Sequence, residues 1–433
     1  MIKLIAALVI VGNLIFSSVV DAEVISCNAT GNESANKFET QEVVKLRALN
    51  KAIKIATEQA KVDFKNKFAG ELSDEEISAI INNGCELGEV NYTQADSSWQ
   101  AAIELKIDDA EVKNWIRRSD REKFTLISQN RDVEKLFAAN DKRTAELRER
   151  LATDYKKQDK KFFKAEFEYV SNEFLSNNKI AGGNKFFYRG RLDDAITLYT
   201  EAIKINEYNE VAYNLRGNIY NIQSMWQKDI PIAEGKRRQA INDLDKAIRL
   251  NNNYASAFSN RGFIYLNSKL FGQAVKDFNR AIQLEPNEAQ NYIYRAQCNR
   301  PTDKNLALAD FNKAVELAPK NSYVYTARGN FYEQDLKDFS KALNDYTRAI
   351  ELERRENELA LYYYNRGGIY QKINDYGRAI DDYTRGITII NNSNQKNPLL
   401  AWVYMKRGEC YKSLGDNGKY QADLKKFEEL QRR

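Results

Sequence analysis

The stretch Ala255–Glu288, ASAFSNRGFIYLNSKLFGQAVKDFNRAIQLEPNE, contains two helical patterns within 34 residues. In the first pattern Phe258, Gly262 and Tyr265 are three or four positions apart, so they lie on one face of a helix. Gly262 has no side chain and leaves space on that face for a neighbouring backbone. The pattern therefore predicts a first helix that packs closely against another element.

Ala274, Phe278 and Ala281 show the same spacing in the second half of the stretch. Pro286 then ends the pattern, because proline cannot continue the hydrogen-bond ladder of a helix. Two short helices within 34 residues are typical of one helix–turn–helix repeat of a solenoid.

These positions recur along the chain. Small residues equivalent to Gly262 are Gly183, Gly217, Ala296, Gly329, Gly367 and Gly408. Residues equivalent to Ala274 are Ala195, Ala240, Ala307, Ala342 and Ala379, and those equivalent to Phe278 are Tyr199, Leu244, Phe311, Tyr346 and Tyr383. The recurrences predict seven repeats, near residues 176–209, 210–254, 255–288, 289–321, 322–356, 360–393 and 401–433.

The repeats resemble the tetratricopeptide repeat, whose pattern is an aromatic residue, Leu-Gly, Tyr, then Ala, an aromatic residue, Ala and Pro at these spacings. Arg261 departs from the pattern, because the family usually has Leu there. The resemblance implies a mainly α fold, a right-handed helix–turn–helix superhelical solenoid. It also implies a concave groove, lined by first helices, of the kind that commonly binds extended peptides or partner segments.

Some repeats deviate in length or composition. The second has eleven extra residues around Asn221–Gln239, which predict longer helices with a small apolar contact of their own or, alternatively, a partner-binding projection. In the fourth, Pro301 is expected to end the first helix early, and the fifth is one residue longer. The last has Tyr420 and Phe427 in its two alanine positions, which is typical of a terminal cap.

Six repeats combine an arginine in the first helix with an aspartate in the second. The pairs are Arg216 and Asp243, Arg261 and Asp277, Arg295 and Asp310, Arg328 and Asp345, Arg366 and Asp382, and Arg407 and Asp423. The first repeat lacks both, with Gly182 and Leu198 at these positions. Joint presence and joint absence predict an ion pair within each repeat, since the guanidinium fork fits a carboxylate. The alternative is a basic stripe for nucleic acid or an acidic partner.

Candidate groove residues come from the first helices. Asparagines near the small residue are Asn184, Asn218, Asn260, Asn330 and Asn365, and an asparagine can donate to and accept from a peptide backbone. Tyr323 and Trp402, near helix starts, are candidate aromatic anchors. The competing interpretation is that all seven are ordinary polar and packing residues.

Composition disfavours several functional classes. The chain has no histidine, so the commonest general base and metal ligand are absent from its sequence. A net charge of +5 over 433 residues is too mild to indicate nucleic-acid binding. Residues 23–120 contain no recognisable nucleophile–base pair, phosphate-binding glycine loop or metal-ligand cluster, and no enzyme activity and no cofactor are predicted.

Residues 1–22 are expected to be a secretory signal peptide. Lys3 precedes an apolar run from Leu4 to Phe16, and small residues follow, so the mature chain is expected to start at Glu23 without a transmembrane segment. A retained anchor and acylation of Cys27 are the alternatives. The expected location is periplasmic or extracellular, with envelope attachment as a variant.

A small α/β domain is predicted over residues 23–120 and a charged helical connector over 121–175. The alternation from Trp99 to Ile107 predicts a half-buried strand, paired with residues 86–92. Cys27 and Cys85 are a candidate disulfide in an oxidising compartment, with two free thiols as the alternative.

The sequence favours an exported, non-enzymatic scaffold or adaptor that binds a protein or peptide in its groove. The alternatives are an envelope lipoprotein or structural assembly subunit, and an enzyme with its site in the N-terminal domain.

Overall fold

The structure is a computed structural model that describes residues 24–68, 72–95, 98–108, 111–112, 114–115, 118, 120–154, 160–353, 355–392 and 397–432. The signal peptide expected at residues 1–22 and the expected mature start, Glu23, lie outside the described residues. By packing, the chain divides between Asn260 and Arg261 into two compact units, here called the N-terminal and C-terminal modules.

The N-terminal module begins with an antiparallel sheet. Its strands are β1 (Val24–Ser34), β2 (Glu86–Leu87), β3 (Asn91–Ala95) and β4 (Ser98–Asp108). β4 lies in the centre, with β1 on one side and β2 and β3 on the other. The alternating strand and its pairing with residues 86–92 are confirmed, whereas β1 was not expected.

The helix α1 (Gln41–Lys67) packs on the sheet, and α2 (Asp74–Gly84) packs against α1. α2 begins with a capping box in which Ser73 and Glu76 exchange side-chain and backbone hydrogen bonds, as its sequence indicates. α1 contacts β1 so closely that a Cβ on Gly31 would overlap the Ala48 carbonyl oxygen. Glycine at this position therefore allows the helix to pack directly on the strand.

The candidate disulfide is absent, because Cys27 and Cys85 are both buried free thiols. Cys27 lies opposite Leu105 of β4, and Cys85 precedes β2, which pairs with the other edge of β4. Two strand spacings of about 4.8 Å separate β1 from β2, more than the roughly 7 Å between Cα atoms that a disulfide can bridge. Cys298 and Cys410 are also buried free thiols.

The connector forms α3 (Asp120–Asp154), and α4 (Lys160–Tyr188) continues into the first repeat. Phe163 and Phe167 of α4 pack against Leu147 of α3 and against Phe38, which precedes α1. These contacts hold α3 and α4 together beside the small α/β domain.

A buried cluster of ion pairs links α3 to the small α/β domain that contains β1 and α1. Arg148 of α3 forms an ion pair with Glu33 at the end of β1 and donates to Glu39 at 2.8 Å. Arg47 of α1 donates to Glu39 at 2.6 Å. Burial raises the pKa of Glu33, but Lys51 and Arg148 together bring it below its ordinary value.

The described residues contain seven helix pairs in repeat order. They are α4 with α5 (Leu192–Ile205), α6 (Glu210–Trp226) with α7 (Ile230–Leu250), α8 (Ala255–Asn267) with α9 (Phe271–Leu284), α10 (Ala289–Asn299) with α11 (Lys304–Leu317), α12 (Ser322–Phe331) with α13 (Phe339–Leu352), α14 (Glu356–Lys372) with α15 (Tyr376–Asn392), and α16 (Leu399–Ser413) with α17 (Asn417–Gln431). The mainly α solenoid preceded by a small sheet domain is confirmed.

The irregular features of the fourth and fifth repeats follow from their local sequence. α10 ends at Asn299, two residues before Pro301, as expected. The extra residue of the fifth repeat forms a single π turn, Tyr332–Leu336, after α12. Among the described residues, no helix is long and apolar enough to span a bilayer.

Candidate functional site

The arginine and aspartate of each repeat form a bidentate ion pair. In all six repeats the arginine Nε and Nη2 atoms donate to the two carboxylate oxygens at 2.6–2.9 Å. The aspartates are buried and the arginines are partly buried. These arginines are thus engaged within the fold, so the basic-stripe alternative is not supported. In the first repeat, which lacks the pair, Leu198 packs over Gly182.

The third guanidinium nitrogen, Nη1, makes a further hydrogen bond that was not predicted from the sequence. Nη1 donates to a polar side chain of the preceding repeat, directly after its aromatic position, at 2.7–3.1 Å. The bonds join Arg216 to Thr200, Arg295 to Asn279, Arg328 to Asn312, Arg366 to Thr347, and Arg407 to Thr384. The recurrence of Thr or Asn after that position is the sequence signal for this link.

The same arginine therefore holds its own two helices and the previous repeat. In Arg328 the hydrogen bonds with Asp345 raise the pKa of the guanidinium, outweighing the opposing effect of burial. The arginine row is consequently a structural element of the solenoid, and recognition must use other side chains.

Three successive first helices, α12, α14 and α16, present Tyr323, Leu361 and Trp402 at one equivalent position. This position lies six residues before the small residue of each repeat. At 100° per residue it shares a helix face with the residues one, four and five after the small residue. Tyr323 is half-buried, whereas Leu361 is 36% and Trp402 47% exposed. The three side chains form an apolar row.

A polar row lies on the same face and joins the same helices. Lys372 of α14 forms an ion pair at 2.5 Å with Glu333, in the π turn after α12. Gln371 of α14 donates to Glu409 of α16 at 2.9 Å, and Lys406 donates to Glu409 at the same distance. Because these contacts are direct, the three helices are neighbours along one surface. The apolar and polar rows together are called the recognition face.

Asn330 follows Gly329 and so occupies the position equivalent to Glu409 of the polar row. Its Oδ1 accepts from the Tyr346 hydroxyl at 2.7 Å, and the same hydroxyl is 2.7 Å from Glu333 Oε2. Within the described residues its Nδ2 has no acceptor, so this group is available to a bound backbone carbonyl.

The other candidate asparagines are placed differently. Asn184 is buried and accepts from Tyr199 at 2.6 Å, and Asn218 is also buried. Asn260 donates to Asn214 at 2.9 Å, and Asn365 is partly buried. Internal hydrogen bonds make Asn184 and Asn260 part of the packing, which agrees with the competing interpretation for these two residues.

The aromatic candidates differ in their packing. Tyr323 contacts the apolar core formed by α10, α11 and α12. Trp402 lies against Phe427 of α17, with ring centroids 5.8 Å apart. Phe427 thus fills its alanine position with a contact inside the last repeat.

The extension of the second repeat lengthens α6 and α7 by the added residues, as expected. Trp226 is 72% and Ile230 71% exposed, so these two side chains are not buried in the apolar contact expected there. Met225 and Ile232 are also exposed. The two long helices therefore end in an apolar tip.

Within the described residues, no group of three His, Cys, Asp or Glu side chains is placed to hold a metal ion. Burial raises the pKa of Cys27 to about 11, reinforced by the Asp63 charge, and raises that of Cys410 to about 12. Such thiols are poor nucleophiles near neutral pH.

Stacked helix pairs with a small residue at each crossing define this part of the molecule as a helical-repeat solenoid. Residues 183–221 and 229–268 match the family described as "TPR repeat", and residues 255–288, 322–356 and 360–393 match "Tetratricopeptide repeat". These segments of the chain therefore match models of the tetratricopeptide repeat.

Two curated relatives show the extent of the similarity. RNA polymerase II-associated protein 3 of Homo sapiens is 34% identical over 113 residues, which is 26% of this chain and 15% of that protein. Hsp70-Hsp90 organizing protein 2 of Arabidopsis thaliana is 24% identical over 232 residues, 51% of this chain and 38% of that protein. The chain thus spans less than half the length of either relative.

Among solved structures, a tetratricopeptide repeat protein from Parabacteroides merdae is similar, with 19% sequence identity and a TM-score of 0.41. The alignment covers 59% of this chain and 93% of that chain.

Proposed function

We propose that this protein is a non-enzymatic adaptor whose recognition face binds an extended segment of a partner protein. The observation that carries the proposal is the apolar row of Tyr323, Leu361 and Trp402 beside the polar row on three neighbouring first helices. An apolar row gives area for burial, and adjacent polar groups fix a backbone, which is the usual composition of a peptide site.

The spacing of the helices favours one peptide conformation. Packed helices lie about 8–10 Å apart, and a polyproline II segment advances about 9.3 Å in three residues. An apolar side chain at every third position would therefore contact Tyr323, Leu361 and Trp402 in turn. Asn330 Nδ2 would donate to a backbone carbonyl between them.

The relatives support a role in binding proteins. One of them is named as an organizing protein for Hsp70 and Hsp90, that is, by the proteins it brings together. The partner of this chain is proposed here only as a protein or peptide; nucleic acid is not proposed, in keeping with the mild charge.

We also propose that the protein acts after export, in the periplasm or outside the cell, with envelope attachment as a variant. The support is the basic residue and apolar run of residues 1–22. N-terminal sequencing of the protein from its native host should find Glu23 first. An intact Met1 would contradict export by cleavage.

The binding proposal is tested with a random peptide library selected on the full chain. Selected peptides should carry apolar residues three positions apart. Leu361→Glu and Trp402→Ala should each weaken their binding by about tenfold or more, as expected for anchors in an interface.

The matched control is Leu306→Glu, which changes an exposed leucine of α11, a helix that contributes no residue to the recognition face. It should leave both affinity and melting temperature near the wild-type values. Peptides that bind Leu361→Glu, Trp402→Ala and the wild type equally well would refute the assignment of the site.

A further inference from the structure

The tip of the second repeat belongs to the N-terminal module and shares no residue with the recognition face. Eight consecutive residues, Met225–Ile232, are exposed where α6 turns into α7. Among them Trp226 and Ile230 keep about seven-tenths of their side-chain surface in solvent. Met225 and Ile232 are about half exposed. Exposed apolar residues that are contiguous, rather than scattered, indicate a contact surface.

Basic side chains surround this tip. Lys228 is exposed at the turn, and Lys236, Arg237 and Arg238 follow on α7. The acidic residues of the same segment are Asp229 and Glu234, so the positive charges outnumber them. The tip and its surroundings therefore complement a negatively charged partner.

The distance between the apolar and basic parts matches a lipid interface. Six to eight residues along α7 separate Ile230 from the basic group, which corresponds to about 9–12 Å at 1.5 Å per residue. Interfacial apolar groups enter a membrane by about 5–10 Å. Lys236, Arg237 and Arg238 would then reach the headgroups while Trp226 and Ile230 lie at the acyl boundary.

We propose that this tip, Met225–Ile232, inserts into the surface of a membrane that contains anionic lipids. Tryptophan prefers the membrane–water interface, and basic residues near the surface attract anionic headgroups. The segment is a convex turn between two helix ends, which suits a deformable lipid surface. Asp229 is the acid closest to the bilayer, and its carboxylate accepts from the Ile232 amide as the N-cap of α7. The positive end of that helix compensates its charge.

The test measures flotation of the full chain with vesicles of phosphatidylcholine mixed with phosphatidylglycerol. Wild-type protein should bind these vesicles, and Trp226→Ser combined with Ile230→Ser should weaken binding by about tenfold or more. Lys236→Gln, Arg237→Gln and Arg238→Gln together should have an effect of at least that order. Brominated lipids should quench tryptophan emission in the wild type and much less in Trp226→Phe.

The matched control replaces exposed apolar residues elsewhere, Tyr208→Ser and Leu306→Ser, and should bind like the wild type. Three results would overturn the proposal. The first is equal binding by the wild type and the tip variants, which would assign the contact to another segment such as residues 4–16. The second is equal binding to vesicles of phosphatidylcholine alone. The third is self-association that the tip variants abolish, without vesicle binding, which would indicate a second copy of the chain.

Discussion

Arg328 donates to both carboxylate oxygens of Asp345, at 2.9 and 2.8 Å, and its remaining nitrogen, Nη1, donates to Asn312 of the preceding helix pair at 2.8 Å. One guanidinium therefore joins α12 to α13 and both to α11. Four other repeats contain the same arrangement. Stability in a solenoid depends on contacts within repeats and between neighbours, and this arginine contributes to both.

Asp345→Ala should lower the free energy of unfolding by about 3 kcal/mol, because it leaves Arg328 partly buried without its carboxylate. Chemical denaturation measures the change. The control is Arg348→Ala, which removes an exposed pair with Glu351 and should give no resolvable change. An Asp345→Ala variant as stable as the wild type would contradict the structural role of the pair.

Thr347→Val should destabilise the contact between the fifth and sixth repeats by about 1 kcal/mol, since Arg366 Nη1 loses its acceptor at 3.0 Å. Thr388→Val is the control, because the Thr388 hydroxyl bonds only within α15, to Thr384. A double-mutant cycle with Arg366→Lys isolates the coupling. Additive effects of the two substitutions would show that the hydrogen bond between the repeats contributes nothing to stability.

Gly183→Ala should destabilise the first repeat by about 1–3 kcal/mol, because the new Cβ would overlap the Tyr199 ring. Gly235→Ala offers the opposite result. Gly235 lies inside α7 with nothing near its Cβ position, so alanine should stabilise by about 0.4–1 kcal/mol. Thermal unfolding of both variants tests the pair, and a destabilising Gly235→Ala would be inconsistent with the geometry.

The protein should lose stability above pH 10. Burial raises the pKa of Tyr199, Tyr254, Tyr346 and Tyr383 above the ordinary value of 10.0. Their contribution is complete below pH 10. Above it the unfolded chain releases protons that the folded chain keeps, so stability falls by about 1.4 kcal/mol per pH unit for each tyrosine.

Denaturation at pH 8 to 11 measures how steeply the free energy of unfolding falls with pH. Tyr383→Phe should reduce this slope by about 1.4 kcal/mol per pH unit, the contribution of one tyrosine. Phenylalanine occupies the equivalent position in the third and fourth repeats, so the ring itself is tolerated. Tyrosinate absorbance that appears at pH 10 in the folded protein would contradict the expectation.

The four cysteines should resist alkylation in the folded protein at pH 8. All are buried, and burial raises the pKa of Cys298, for example, to about 12. Mass spectrometry should find no label before denaturation and four labels after it. A mass two hydrogens lower than that of the reduced chain would instead reveal a disulfide.

Most of the solenoid could be predicted because its determinants are local. Gly262, Ala274 and Phe278 recur at fixed spacing, and each repeat uses them for the same helix crossing. The ion pairs could be anticipated for a similar reason, since Arg and Asp appear and disappear together. The repeats are several copies of the same packing arrangement within one chain. Comparing them therefore shows which positions change together.

The first strand was not foreseen, although Ile25, Cys27, Ala29 and Gly31 alternate with Ser26, Asn28, Thr30 and Asn32. Most of these residues are small or have low strand propensity, so the alternation is a weak signal. The strand exists through an eleven-residue pairing with β4, and Gly31 lets α1 approach it. Because this pairing joins residues about seventy positions apart, the local sequence does not report which strand is the partner.

By itself, the sequence determined the number of repeats, the residues at each helix crossing and the arginine–aspartate pairs, because these depend on spacing within one repeat. Only the tertiary structure decided which polar side chains remain available. It placed Asn184 and Asn260 in internal hydrogen bonds, exposed Trp226, and grouped Leu361 and Trp402 on one face. The reason is that burial and hydrogen-bond satisfaction depend on which helices become neighbours, and those neighbours come from different repeats.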